Sequence, residues 1–188
     1  MTYHSGRHFL QLPGPTNTPE RVLRALSKPT IDHRGPEFKE LTPKLFEGMR
    51  WLFKTEQAVF IYPASGSGAW ECALVNTLSP GDKVLSFQQG FFASGWTKVA
   101  RSYGLDVQLE PWDPRLGLTP EALLNVLGGE NGKDIKAVLV VHNETSTGVT
   151  TDIKAIGKAL RESGHPALLL VDTVSSLAVM DYHHDDWG

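Results

Sequence analysis

The chain has 188 residues, 40% of them hydrophobic and 21% charged, enough apolar material for a domain with a sizeable core and too much for a disordered tail. Its 18 Lys+Arg against 21 Asp+Glu give a net charge of -3 with both signs dispersed, which excludes the basic footprint of a nucleic-acid or anionic-membrane binder. Cys72 is the sole cysteine, excluding an internal disulfide or a cysteine metal cage; no aliphatic run approaches a membrane span, and the start from Met1 to His8 lacks the apolar stretch of a secretory signal, so a cytoplasmic protein is expected.

Residues 9–19 contain Pro13, Pro15 and Pro19. Proline has no N–H and biases its predecessor away from helix, so this stretch reads as an extended arm with a Pro/Gly turn. Thr18 and Pro19 cap and open a short helix through Lys28. From Glu37 to Phe53, Phe38, Leu41, Leu45, Met49, Leu52 and Phe53 recur at three- and four-residue spacing. That is one apolar helical face, with Pro43 marking a start or an irregularity. Val59 to Tyr62 reads as a short strand, and Ala64 to Glu71 as a small-residue turn opening a helix to about Leu78.

Further strands are expected at 83–87, 106–109, 137–141 and 167–171, and helices at 92–103, 119–127 and 153–163. The last two strands are continuously apolar, as strands of a parallel sheet covered on both faces are. Repeated strand–helix units point to an open three-layer α/β fold with a mostly parallel sheet. The expected organisation is an N-terminal arm over 1–20 and an α/β domain over 21–188.

Ligands of open α/β sheets bind beyond the carboxyl ends of the strands. Four such ends carry chemistry here: Ser65-Gly66-Ser67-Gly68-Ala69, Gln88 to Phe92, His142 to Gly148, and Asp172 to Ser176. A glycine–serine turn feeding a helix suits a phosphate, because helix N-terminal N–H groups and the dipole favour an anion; the same letters also describe an ordinary capped turn. It is not a Walker loop, for no Lys-Ser/Thr pair follows, nor a full dinucleotide fingerprint, since Glu71 stands where a third glycine belongs. Asp172 ends an aliphatic strand, where a carboxylate needs a compensating partner. A protonated heterocyclic nitrogen, a Mg²⁺ ion, or the turn of Thr173 to Ser176 would each serve. His142 to Thr145 offer acid–base and hydroxyl groups. His183-His184-Asp185-Asp186 is metal-like in composition but reads as a solvated loop, and His4 and His8 as a solvated arm; no metal site is expected. Cys72 is expected as a buried small hydrophobe, and the five tryptophans mostly as core or interface rings.

Leu12-Pro13-Gly14-Pro15-Thr16-Asn17, Pro63 to Glu71, Val141 to Val149 and Val171 to Ser176 occur together in an order that resembles the class V aminotransferases of the pyridoxal-phosphate fold type I superfamily, nearest the serine–glyoxylate branch with the alanine–glyoxylate enzymes as near kin. The resemblance runs over essentially the whole chain. It implies the cofactor pyridoxal 5'-phosphate, with Ser67, Gly68 and Ala69 on its phosphate. Phe92 would stack on the pyridine, Thr145 would bond near the phenolic oxygen, Asp172 would pair with the ring nitrogen, and Val174 would pack on the other face. Pro15 and Asn17 would line the substrate entrance. The implied reaction takes serine and glyoxylate to hydroxypyruvate and glycine, in a homodimer that meets only an amino acid and a 2-oxo acid, with no nucleic acid or membrane.

The family's Schiff-base lysine stands in a Ser-x-Lys turn beyond the aspartate, whereas the last lysine here is Lys158. No catalytic residue is therefore expected within the chain. It reads as the N-terminal part of a large domain, inactive alone, with the lysine and the small C-terminal domain beyond Gly188. A peroxisomal signal of the C-terminal type would also lie there. The alternatives are alanine–glyoxylate transamination, another class V enzyme such as a lyase or desulfurase, a truncated cofactor-binding remnant, and a nucleotide-binding domain using Asp172 for Mg²⁺, against which the missing P-loop lysine counts.

Overall fold

The computed structural model describes residues 9–188; His4 and His8 lie outside the described residues. The chain divides into two compact units, Met1–Glu47 and Gly48–Gly188. In the first, α1 (Glu20–Leu26) begins behind Pro19, whose carbonyl accepts from Val22 N (2.9 Å) and Leu23 N (3.1 Å). Most of α2 (Pro36–Phe53) follows, and it runs unbroken through Pro43. That proline removes the N–H that Lys39 O would accept, yet the turns on both sides hold the helix.

The second unit contains, in chain order, α3 (Gly66–Thr77), β1 (Lys83–Phe87), α4 (Phe91–Ser102), β2 (Asp106–Glu110), α5 (Pro120–Leu127), β3 (Ile135–Val141), β4 (Asn143–Glu144), β5 (Val149–Thr150), α6 (Ile153–Ser163), β6 (Leu168–Asp172) and α7 (His184–Trp187). Four strands form one parallel sheet in the order β2-β1-β3-β6, while β4 and β5 pair as a separate antiparallel hairpin. Side-chain alternation along residues 137–141 of β3, beyond the register shift that follows Ile135, divides the interior into two cores. Ala137, Leu139 and Val141 pack with Trp70, Leu74, Ala93, Trp96 and Ala100 of α3 and α4. Ile135, Val138 and Val140 pack with Leu123, Leu127, Ile153, Ile156 and Leu160 of α5 and α6. The sheet is therefore the middle of three layers.

The connections explain where loops diverge. From β1 the chain leaves through α4 toward β2, and from β2 it returns through α5 on the other face to β3. The ends of β1 and β3 thus flank a topological switch point, the crevice where open α/β sheets take ligands. Local signals set the helix limits: Thr119 accepts from Ala122 N (3.3 Å) at the start of α5, and Asp152 from Ala155 N (2.9 Å) at the start of α6. Gly164 ends α6 at φ 68, the left-handed conformation that glycine adopts without a Cβ penalty.

Some expectations are corrected. Residues 59–62 form no strand, and Phe60, Ile61 and Tyr62 are exposed; an apolar run becomes a strand only with a neighbour to complete its ladder, and none of the four sheet strands pairs with it. His184–Trp187 is a short helix rather than a solvated loop, with His183 stacked on Trp187 at 5.6 Å between ring centroids. Cys72 is half-buried, because it lies on the side of α3 away from the core residues Trp70 and Leu74. The tryptophans are mostly core rings, as expected, with Trp70 and Trp96 buried and Trp112 and Trp187 packed against the core; Trp51, 70% exposed, is the exception. Among the described residues no helix is long and apolar enough to cross a membrane, and no cluster of His, Cys, Asp and Glu could hold a metal ion.

Candidate active site

Three strand ends and the start of α3 converge on the α3/α4 side of the sheet. The start of α3 comes first in the chain. Gly68 N and Ala69 N donate to Ser65 O (2.9 and 3.3 Å), and no side chain caps this helix, in contrast to α5 and α6. Its first-turn donors belong to a backbone that approaches its surroundings closely: a Cβ on Gly66 would stand 2.9 Å from Val174 Cγ2, and one on Gly68 would stand 2.5 Å from Ala64 Cβ. Gly66 thus brings the α3 start against the loop that follows β6, while Gly68 lets the turn close on Ala64.

Asp172, the last residue of β6, is 8% exposed. Its Oδ1 accepts from Val174 N (2.8 Å), the turn-capping bond open to an aspartate here. Its Oδ2 accepts from Trp70 Nε1 (2.8 Å) on α3. A carboxylate offers about four acceptor sites, so each oxygen keeps capacity for another donor. Trp70 stacks on Trp96 (5.8 Å, 12°) and meets Phe92 edge to face (6.4 Å, 67°). Phe92, Trp70, Asp172, Val174 and the glycine turn are therefore linked through successive contacts.

The loop after β3 is tied to α4 by Glu144, which sequence reasoning placed only within a polar cluster. Glu144 is wholly buried. Oε1 accepts from Phe92 N (3.2 Å), Ser146 N (3.2 Å) and Ser146 Oγ (2.6 Å), and Oε2 accepts from Ala93 N (3.1 Å). Ser146 Oγ in turn accepts from Phe91 N (3.0 Å). A negative charge at a helix N-terminus satisfies orphan donors and complements the dipole. The approach requires Gly90, where a Cβ would stand 2.6 Å from Glu144 Cγ. Thr145 lies between these two anchored residues and is half-buried.

His142 does not join this group. It is buried with Nδ1 2.9 Å from Ser176 Oγ, and its ring lies near Tyr182 (6.0 Å) and Trp187 (6.4 Å) on the α5/α6 side of the sheet. Burial pushes its pKa below the ordinary value, against a smaller opposing pull from Asp152. Pro15 and Asn17 belong to the N-terminal unit, where Asn17 Oδ1 accepts from Leu10 N (2.9 Å).

A three-layer domain on a parallel sheet, with a glycine turn opening a helix and with an aromatic ring and a buried aspartate at strand ends, is the large-domain architecture of the fold type I pyridoxal-phosphate transferases. The model of the family described as Aminotransferase class-V matches residues 8–188, and the chain belongs to that family. It is 46% identical to a serine–glyoxylate aminotransferase of Methylorubrum extorquens over 99% of this chain and 46% of that protein. To an L-aspartate–glyoxylate aminotransferase of Paracoccus denitrificans it is 46% identical over 94% of this chain and 45% of that protein. Among solved structures, an alanine–glyoxylate aminotransferase of Nostoc sp. superposes with a TM-score of 0.89 at 30% identity, over 99% of this chain and 48% of that one. The chain spans about half the length of the curated relatives it matches.

Class V aminotransferases work with pyridoxal 5'-phosphate, and the residues present fit it. The uncapped start of α3 is an anion site in kind, the half-buried Phe92 is an aromatic surface beside it, and the buried Asp172 carboxylate suits a protonated ring nitrogen.

Proposed function

We propose that the natural polypeptide carrying these residues is a pyridoxal-phosphate-dependent aminotransferase that moves the amino group of serine to glyoxylate, yielding hydroxypyruvate and glycine. The observation that carries this reading is the 46% identity to a serine–glyoxylate aminotransferase across 99% of the chain. The serine–glyoxylate relative of Arabidopsis thaliana, at 43%, adds to it. Glyoxylate also occurs in the names of the aspartate- and alanine-linked relatives, so the acceptor is supported more broadly than the donor.

In this reading Ser67, Gly68 and Ala69 hold the cofactor phosphate with backbone N–H groups and the Ser67 hydroxyl at the start of α3. Phe92 and Val174 bound the ring on its two faces, and Thr145 donates to its phenolic oxygen. Asp172 holds a proton on the ring nitrogen. When bound, the cofactor supplies an electron sink for negative charge developing at the substrate α-carbon. Trp70, Trp96 and Leu139 keep water from the inner side of the site. Pro15 and Asn17 line the substrate entrance, the active form is a homodimer, and the compartment is the cytoplasm.

The test is glycine formation from glyoxylate by the natural polypeptide with pyridoxal phosphate, given serine, alanine or aspartate as donor. The reading expects serine to have the highest kcat/KM, with parallel lines in double-reciprocal plots from two half-reactions through one site. A higher kcat/KM with alanine or aspartate overturns the donor assignment, and no glycine with any donor overturns the activity.

A further inference from the structure

Within the site just proposed, and resting on that reading, Trp70 has a geometry that packing alone does not require. It is the fifth residue of α3, directly after the Gly66–Ala69 segment and about one helical turn from Gly66. Its ring is held by Trp96 in a stacked contact at 5.8 Å and by Phe92 in an edge contact at 6.4 Å. Its one polar atom, Nε1, donates to Asp172 Oδ2 at 2.8 Å across 102 residues of sequence. The second carboxylate oxygen is already tied to Val174 N at 2.8 Å. With a separate donor on each oxygen, the carboxylate plane cannot turn about its bond to Cβ without breaking a hydrogen bond.

We propose that Trp70 is a positioning residue that sets the orientation of the Asp172 carboxylate toward the pyridine nitrogen and ties it to the phosphate-holding turn of α3. The coupling follows from the helix. Residues 66–69 and Trp70 are consecutive members of one rigid element, so a shift of the phosphate end carries the indole N–H, and with it Asp172. Phenylalanine at position 70 would retain most of the apolar contact with Trp96 and Phe92 but would leave Oδ2 without its donor. The carboxylate would then be anchored at one oxygen and free to rotate.

The experiment measures dissociation constants of the natural polypeptide, stripped of cofactor, for two probes. These are pyridoxal phosphate and its 1-deaza analogue, in which a C–H replaces the ring nitrogen. The unsubstituted protein binds pyridoxal phosphate more tightly than the analogue. Trp70→Phe weakens pyridoxal phosphate about tenfold, the scale of one hydrogen bond to a charged group, while leaving the analogue nearly unchanged, so the preference collapses. Equal weakening of both probes assigns Trp70 to packing and overturns the inference, as does an unchanged preference. If the unsubstituted protein binds neither probe, or both alike, the cofactor reading itself fails, and the inference with it. Where Trp70→Phe does not fold, benzothienylalanine at position 70 replaces the N–H by sulfur in a ring of the same shape and is read by the same criteria.

Discussion

Glu144 accepts the backbone N–H of Phe92 at 3.2 Å across 52 residues of sequence. The strand-end loop after β3 and the ring proposed to stack on the cofactor are therefore fixed by the same carboxylate. Its other oxygen takes Ala93 N at 3.1 Å, so a fully buried charge is compensated by donors of one helix terminus and by Ser146.

Glu144→Ala strands at least two backbone donors, each worth about 1–3 kcal/mol when buried without a partner. The expected loss of stability is about 3 kcal/mol, with a smaller loss for Glu144→Gln, read from the denaturant midpoint. Gly90→Ala alone is also destabilising, because its Cβ would stand 2.6 Å from Glu144 Cγ. Combined with Glu144→Ala it costs less than the sum, since two of the three atoms nearest that Cβ, Glu144 Cγ and Cδ, are removed and only Ser146 Oγ at 2.6 Å remains. Additive costs would contradict this contact.

Gly66→Ala forces a Cβ to 2.9 Å from Val174 Cγ2. Overpacking of that kind costs about 1–3 kcal/mol, and it pushes the α3 start away from the loop after β6. Both stability and affinity for pyridoxal phosphate should fall, and Val174→Ala in the same protein should restore much of the stability. Gly66→Ala without effect on either measurement would show that the approach is not required.

Much of this arrangement was legible in the residues, and what was not has definite physical causes. β1 and α6 are read to the residue, at Lys83–Phe87 and Ile153–Ser163, because turn and capping residues bracket a single clear period. The strand-end rule pointed to Phe92 and Asp172 without a fold in hand, whereas it reached the turn at 65–69 through a strand at 59–62 that does not form. Glu144 escaped because its partners are backbone N–H groups of a helix far away in sequence, and backbone donors leave no mark in side-chain letters. Trp70 escaped because an indole N–H reads like any other core ring until its acceptor is located. Val59 to Tyr62 misled for the converse reason: four residues with strand-like side chains carry no information about whether a neighbour completes their ladder. His142 and Glu144 were grouped by proximity in sequence, yet the chain bends at His142, and the two side chains end in different layers.

His142 makes a pH prediction with a definite sign. Burial lowers its pKa from the ordinary 6.5, so the unfolded chain binds the proton more readily than the folded one. Its contribution to stability is complete above pH 6.5 and is lost as pH falls from there toward the folded value. Asp152 opposes the shift without reversing it. In urea denaturation at pH 7.5, 6.5 and 5.5 (about a unit either side of the ordinary histidine value), His142→Gln should lose less stability on acidification than the unsubstituted protein. An equal or steeper loss would contradict a neutral buried imidazole.

Asp172 bears the central claim, that the end of β6 holds the ring nitrogen of pyridoxal phosphate. The most direct test compares cofactor affinity of the natural polypeptide with that of Asp172→Ala, using Asp152→Ala as a control. Asp152 caps α6 through Ala155 N at 2.9 Å, so its loss costs stability in the other helical layer. The account predicts that Asp172→Ala weakens binding about 10–100-fold, the range for a hydrogen bond to a charged group, while Asp152→Ala leaves affinity unchanged. Equal affinity of Asp172→Ala and the unsubstituted protein would contradict it.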